Sequence, residues 1–234
     1  MTLSFHQRYK QILERVAEAA HAAGRRMEDI RIIGVSKRHS VEACRSALQA
    51  GMLDLGENYV QEWKEKAKVL AEEESSPRWH FIGGLQSNKA RLLVRSDVLI
   101  HTVDRMSLAK ALSKEAILLG KTARILIQVN EAGETQKAGV TPEQFEPLIE
   151  ELLGLPGLQI QGLMCIPPAR ANPQDSVQDF RALRQRLEQL QQLDPRLKSA
   201  AELSMGMSSD FEWAIREGAT LIRVGTALFG PRPS

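Results

Sequence analysis

The chain has 234 residues, 43% of them hydrophobic, with 31 basic and 29 acidic side chains giving a formal net charge of +2. That length suits one barrel-sized domain or two small ones, and the apolar fraction supports a substantial core, which excludes a disordered chain. The near balance of charge leaves no electrostatic footprint for nucleic acid. Two well-separated cysteines, Cys44 and Cys165, give neither a disulfide framework nor a Cys-rich zinc site. The simplest reading is two buried thiols in a reducing, cytoplasmic compartment.

In chain order, residues 2–24 carry charges throughout, so no apolar signal core is expected there. Phe5, Tyr9, Ile12, Val16 and Ala20 recur at spacings of three or four, which predicts a helix stopped by Gly24. No run of about 18 apolar residues follows, so no membrane span is expected and the protein should be soluble. From Asp29 a short β-rich run alternates with a longer helical stretch. The predicted strands are Ile30–Lys37, Leu53–Glu57, Trp79–Gly83, Val98–Val103, Ala123–Asn130, Leu158–Ile166, Ala200–Met205 and Leu221–Gly225. Helical segments are predicted near 40–50, 59–74, 88–95, 105–119, 142–153, 175–192 and 209–217. Gly51, Gly120, Gly154 and Gly218 fall where C-terminal caps belong. Asp104 reads as a helix N-cap, and Ser209-Asp210-Phe211-Glu212 fits a capping box. Eight strand–helix units in about 200 residues predict one domain over 1–234, a closed (β/α)8 TIM barrel preceded by an extra helix. The competing open doubly wound sheet lacks a G-x-G-x-x-G after the first strand.

A barrel puts its chemistry at the C-terminal ends of the strands. That rule selects Lys37, Glu57, Asn58, His80, His101, Asp104, Asn130, Ser204, Arg223 and Thr226. His80 and His101 read as packed or hydrogen-bonded residues, since no H-x-H or H-x-x-x-H spacing accompanies them, and no metal is expected. Asn130 opens the polar loop Glu131–Lys137 and reads as a turn residue. Lys37 ends an apolar run and shares a strand face with Ile33 and Val35. An amine at the barrel mouth can lose its charge by desolvation and attack a carbonyl, although spacing alone favours an ordinary strand-end lysine. Arg223 interrupts the apolar run Leu221–Gly225, which fits either a structural ion pair or a ligand contact. Small and hydroxylic residues at 204–209 and 225–227 suit an anion after strands seven and eight.

Six segments go further than composition: Gly34–Lys37, Gly56–Glu62, Trp79–Lys89, Gly162–Met164, Leu203–Ser208 and Ile222–Gly230. In order, from about residue 30 to 230, they closely resemble the pyridoxal phosphate homeostasis protein family. Two departures stand out: Gly84, where Pro or a larger residue is expected, and Cys165, where Ala is usual. The resemblance implies a barrel similar to the N-terminal domain of alanine racemase, with pyridoxal 5′-phosphate (PLP) held as a Schiff base on Lys37. By the same match Ser204, Arg223, Gly225 and Thr226 are cofactor contacts, and Asn58, His80 and Met207 are wall residues.

An arginine facing the pyridine nitrogen would weaken the cofactor as an electron sink. Eight units also use the chain up to Gly230, leaving no room for the second base of a racemase. The expectation is therefore a monomeric binding protein in vitamin B6 homeostasis and amino-acid balance, with PLP and PLP-dependent apoenzymes as its partners. The alternative is a small PLP-dependent racemase or lyase. A cofactor-free Schiff-base aldolase is disfavoured because Met164–Pro167 carries no lysine.

Overall fold

The computed structural model describes residues 3–73, 76–134 and 136–231. Eight parallel strands close into a barrel in chain order. They are β1 (Arg31–Val35), β2 (Asp54–Glu57), β3 (Arg78–Phe81), β4 (Leu99–Val103), β5 (Ala123–Val129), β6 (Leu158–Cys165), β7 (Glu202–Met207) and β8 (Leu221–Val224). The seam pairs β1 with β8, with Ile33 opposite Arg223. The helices α2 (Val41–Gln49), α3 (Val60–Glu72), α4 (Ala90–Arg95), α5 (Met106–Leu119), α6 (Pro142–Leu153), α7 (Val177–Leu193) and α8 (Phe211–Arg216) fill the crossovers.

The extra helix forms as predicted. It is α1 (Phe5–Ala22), begun by a capping box in which Ser4 and Gln7 satisfy each other's backbone N–H groups. It buries Ile12, Val16, Ala19 and Ala20. The Phe5 ring sits 5.1 Å from Phe229 on α9 (Thr226–Phe229), a short helix that the sequence reading lacked. None of the described helices is long and apolar enough to cross a membrane.

Side chains alternate along each strand between two cores. The outer core lies between strands and helices and holds most of the buried apolar residues, among them Leu55, Phe81, Phe145 and Phe211. The inner one is small: Ile33, Leu99, Leu126, Met164 and Leu221. Polar side chains occupy the rest of the interior, because Asp54, His80, His101, Ser204 and Arg223 are all buried. This polar filling departs from the branched aliphatic layers that dominate most barrels of this type.

Several predicted boundaries shift. β1 ends at Val35, two residues before Lys37, and β7 runs from Glu202 to Met207. The last residue of the predicted 59–74 helix lies outside the described residues. Asp104 is not the cap of α5. That position falls to Arg105, and the Asp104 carboxylate accepts from Gly139 N (3.3 Å) and Arg105 Nη1 (2.8 Å). The Ser209–Glu212 capping box does not form either, since Asp210 occupies the cap position and its Oδ1 accepts from Met207 N (2.6 Å). In both places a loop contact outcompetes the local cap. Gly154 caps α6 in a right-handed conformation, whereas Gly120 takes the expected left-handed one. Both cysteines are buried and unpaired.

Candidate functional site

A cavity of about 270 Å³ opens at the C-terminal ends of the strands. Lys37 enters it from the loop after β1, Asn58 from just beyond β2, and Arg223 from β8, with Gly225 and Thr226 leading on into α9. Met207, Ser208 and Ser209 close the β7 side, and Val35, Ile82 and Ile166 supply apolar wall. The volume lies near the lower end of small-molecule sites, about 300 Å³.

The segment carrying Lys37 is clamped from below. Ser36 N continues the ladder by donating to Gly56 O (3.0 Å), and Arg38 then turns the chain with a φ of 61°. Beneath, Ser36 Oγ donates to Glu57 Oε1 (2.7 Å), while Lys66 Nζ donates to Glu57 Oε1 (2.6 Å) and Ser36 O (2.8 Å). Burial pushes the Glu57 carboxyl above the ordinary range, and the neighbouring Lys66 charge opposes that rise. A buried ion pair thus fixes the residue immediately before Lys37.

Arg223 lies between Ser204 Oγ (2.7 Å from Nη1) and Cys165 O (2.9 Å from Nη2). It is 4% exposed, and burial lowers its pKa from the ordinary arginine value. The sequence left an ion pair or a ligand contact open for it. Its hydrogen-bond partners here are neutral, and its outer face lines the cavity. Burial also raises the thiol pKa of the adjoining Cys165. Across the mouth, Ser208 Oγ accepts from Gly225 N (3.3 Å), tying the β7 loop to the β8 turn. Asn58 Oδ1 is buried and has no hydrogen-bond partner, an unmet acceptor at the cavity wall.

Six residues singled out from sequence therefore meet in one cavity: Lys37, Asn58, Met207, Arg223, Gly225 and Thr226. Ser204 and His80 do not line it. Ser204 lies below the cavity and holds Arg223. His80 lies deeper, bonded to Asp54 and His101. Sequence reasoning missed Ser208 and Ser209 as wall residues, although they sit in the Ser/Gly loop already singled out. No group of three His, Cys, Asp or Glu among the described residues could hold a metal ion.

Fold and site together define a lysine-bearing barrel of the alanine racemase N-terminal-domain class, and the family model of that description, "Alanine racemase, N-terminal domain", matches residues 10–233. The pyridoxal phosphate homeostasis protein of Aquifex aeolicus is 42% identical over 226 residues, covering 97% of each chain. That of Escherichia coli K12 is 37% identical over 95% of this chain and 94% of its own. The solved structure of PipY from Synechococcus elongatus with PLP bound superposes with a TM-score of 0.80 at 40% identity, covering 92% of this chain and all of that one. The chain belongs to the pyridoxal phosphate homeostasis protein family.

Proposed function

We propose that the mouth cavity binds pyridoxal 5′-phosphate on Lys37, and that the protein holds the cofactor for vitamin B6 and amino-acid balance rather than turning substrates over. One observation carries this reading: an amine, a guanidinium and a hydroxyl-rich wall converge on a single cavity of about 270 Å³. The same ligand is bound in the PipY structure. When bound, PLP supplies an electron-withdrawing ring attached through its aldehyde carbon to an amine.

The residues fit that group. Lys37 Nζ is the amine, Ser208, Ser209 and Thr226 offer hydroxyls to the phosphate, and Asn58 Oδ1 is an acceptor awaiting a donor. Arg223 is a cation in the cavity wall, and a pyridine ring seated against it would resist protonation and withdraw electrons less strongly. Among the described residues lining the cavity, Lys37 and Arg223 are the charged ones, so no carboxylate or imidazole stands ready as a second base. Both features support storage over turnover. The protein acts as a monomer inside the cell, and PLP-dependent apoenzymes receive the cofactor.

Borohydride reduction followed by peptide mapping should place one pyridoxyl group per chain on Lys37, and Lys37→Ala should abolish it. An adduct mainly on Lys89 or Lys137 would refute the assignment. Amino-acid α-proton exchange followed by NMR should stay at background, and sustained exchange would favour a racemase or lyase.

A further inference from the structure

Five side chains inside the barrel form one continuous hydrogen-bonded chain. Arg223 Nη1 donates to Ser204 Oγ (2.7 Å), and Ser204 Oγ lies 2.8 Å from His101 Nδ1. His101 Nε2 lies 2.9 Å from His80 Nδ1, and His80 Nε2 lies 2.9 Å from Asp54 Oδ1. None of the five is more than 4% exposed. Asp54 also accepts from Arg78 Nε (3.0 Å) and Nη2 (2.7 Å), and it lines a second cavity at the N-terminal end of the barrel. The chain thus joins the two ends of the barrel through its interior.

Its ends fix its direction. A guanidinium only donates and an ionised carboxylate only accepts. Ser204 must accept from Arg223, which leaves its one proton for His101 Nδ1. His101 then carries its proton on Nε2 and donates to His80 Nδ1. His80 carries its own on Nε2 and donates to Asp54. Every link is satisfied once, with both imidazoles neutral.

We propose that Asp54, His80 and His101 are positioning residues which, through Ser204, hold Arg223 in place at the cofactor cavity, and that one proton bound at the His80–Asp54 end reverses the chain. The role in cofactor binding rests on the function proposed above; the direction of the chain does not. On reversal, water supplies one proton and no other group is consumed. His80 becomes a cation with N–H on both nitrogens. His101 passes its Nε2 proton to His80 Nδ1, from which it then accepts, and takes the added proton at Nδ1, now a donor to Ser204. Ser204 then faces two donors, and its hydroxyl proton loses its acceptor.

The surroundings decide where that proton goes. Asp54 from β2 and His101 from β4 touch His80, and the charges of Arg31 on β1 and Arg124 on β5 also act on it. His101 is faced by His80, by Arg223 from β8 and by the charge of Arg31. Burial is the largest influence on both imidazoles and lowers both pKa values, and at His80 alone the Asp54 carboxylate opposes it. The neutral, ordered chain therefore prevails at pH 7, and an added proton settles on His80.

Long-range ¹H–¹⁵N correlation spectra of the histidine-labelled, cofactor-free protein test the direction. Both His80 and His101 should show Nε2–H and a bare Nδ1 at pH 7; an Nδ1–H form of His101 overturns the proposal. Because PLP is absent, this result is independent of whether Lys37 carries the cofactor. With PLP bound, Ser204→Ala should weaken affinity about tenfold, the scale of one lost hydrogen-bond partner. Ser204→Thr, which keeps the hydroxyl, should restore it. His80→Gln can still accept from His101 and donate to Asp54 but cannot bind a proton. It should remove the acid-side change in the absorbance of the bound cofactor. An acid limb that persists in folded His80→Gln overturns the proton step.

Discussion

Lys66→Met should destabilise the protein by about 3–5 kcal/mol, the cost of stranding one member of a buried ion pair. Glu57 is fully buried and Lys66 is 4% exposed, and Lys66 Nζ satisfies both Glu57 Oε1 and Ser36 O. Glu57 Oε2 already lacks a partner, so the carboxyl has nothing in reserve. Its raised pKa supplies a signed check. A carboxyl whose folded pKa lies above its unfolded one adds relative stability at low pH and loses it as pH rises through the folded value. Removing Lys66 raises that value further. The deficit should therefore be largest at neutral pH and should shrink in mildly acid buffer. Urea unfolding with an unchanged slope measures it. Glu57→Gln added to Lys66→Met should recover at least half of the loss, because a neutral amide no longer needs the cation. The same substitution should weaken PLP binding, since the Ser36 carbonyl loses a donor next to Lys37. A loss under about 1 kcal/mol would mean that water reaches the pair.

Lys66 also marks a signal that charge conceals. Trp63, Lys66 and Leu70 are the buried positions of α3, at spacings of three and four. A lysine on that stripe is informative, yet charge alone suggests solvated surface. The strands and crossovers were legible because alternation and capping glycines are local. The strand-end rule picked out Lys37, Asn58, Arg223 and Thr226 at the mouth, but it also selected Glu57, His101, Asp104 and Asn130, which do not line the cavity, and Met207 was legible only through the family resemblance. The inner chain was not legible, because His80, His101 and Ser204 lie on three different strands. Only closure and register bring His101 within 3 Å of both His80 and Ser204. The reading of both histidines as hydrogen-bonded residues was right, but pairing them needed the structure. Asp104 and Ser209 failed for the opposite reason: each fits a local capping rule, and a neighbouring loop offered something better.

Gly83 and Gly84, adjacent in the chain, should respond in opposite directions to the same methyl group. A Cβ on Gly83 would lie 2.2 Å from Asn58 O and 2.7 Å from its Cα. Both atoms are backbone, so no flexible side-chain end can step aside. Gly83 cannot retreat easily, because its carbonyl accepts from Thr102 Oγ1 (2.7 Å) on β4. Asn58 is what must move, and it carries the unmet acceptor at the cavity wall. Gly83→Ala should cost about 1–3 kcal/mol, the usual scale of overpacking. It should also weaken PLP binding about tenfold, by the loss of one well-placed hydrogen-bond acceptor. Gly84 is exposed and does not have a left-handed φ, and a Cβ added there would meet nothing within 4 Å. Gly84→Ala should therefore stabilise by about 0.4–1 kcal/mol, chiefly by restricting the unfolded chain, and leave PLP affinity unchanged. Open space also explains how a larger residue could stand at position 84, as expected for the family. Thermal melts and PLP titrations on the two variants decide the matter. Equal behaviour of both would mean that the turn after β3 does not approach Asn58 as closely as the fold requires.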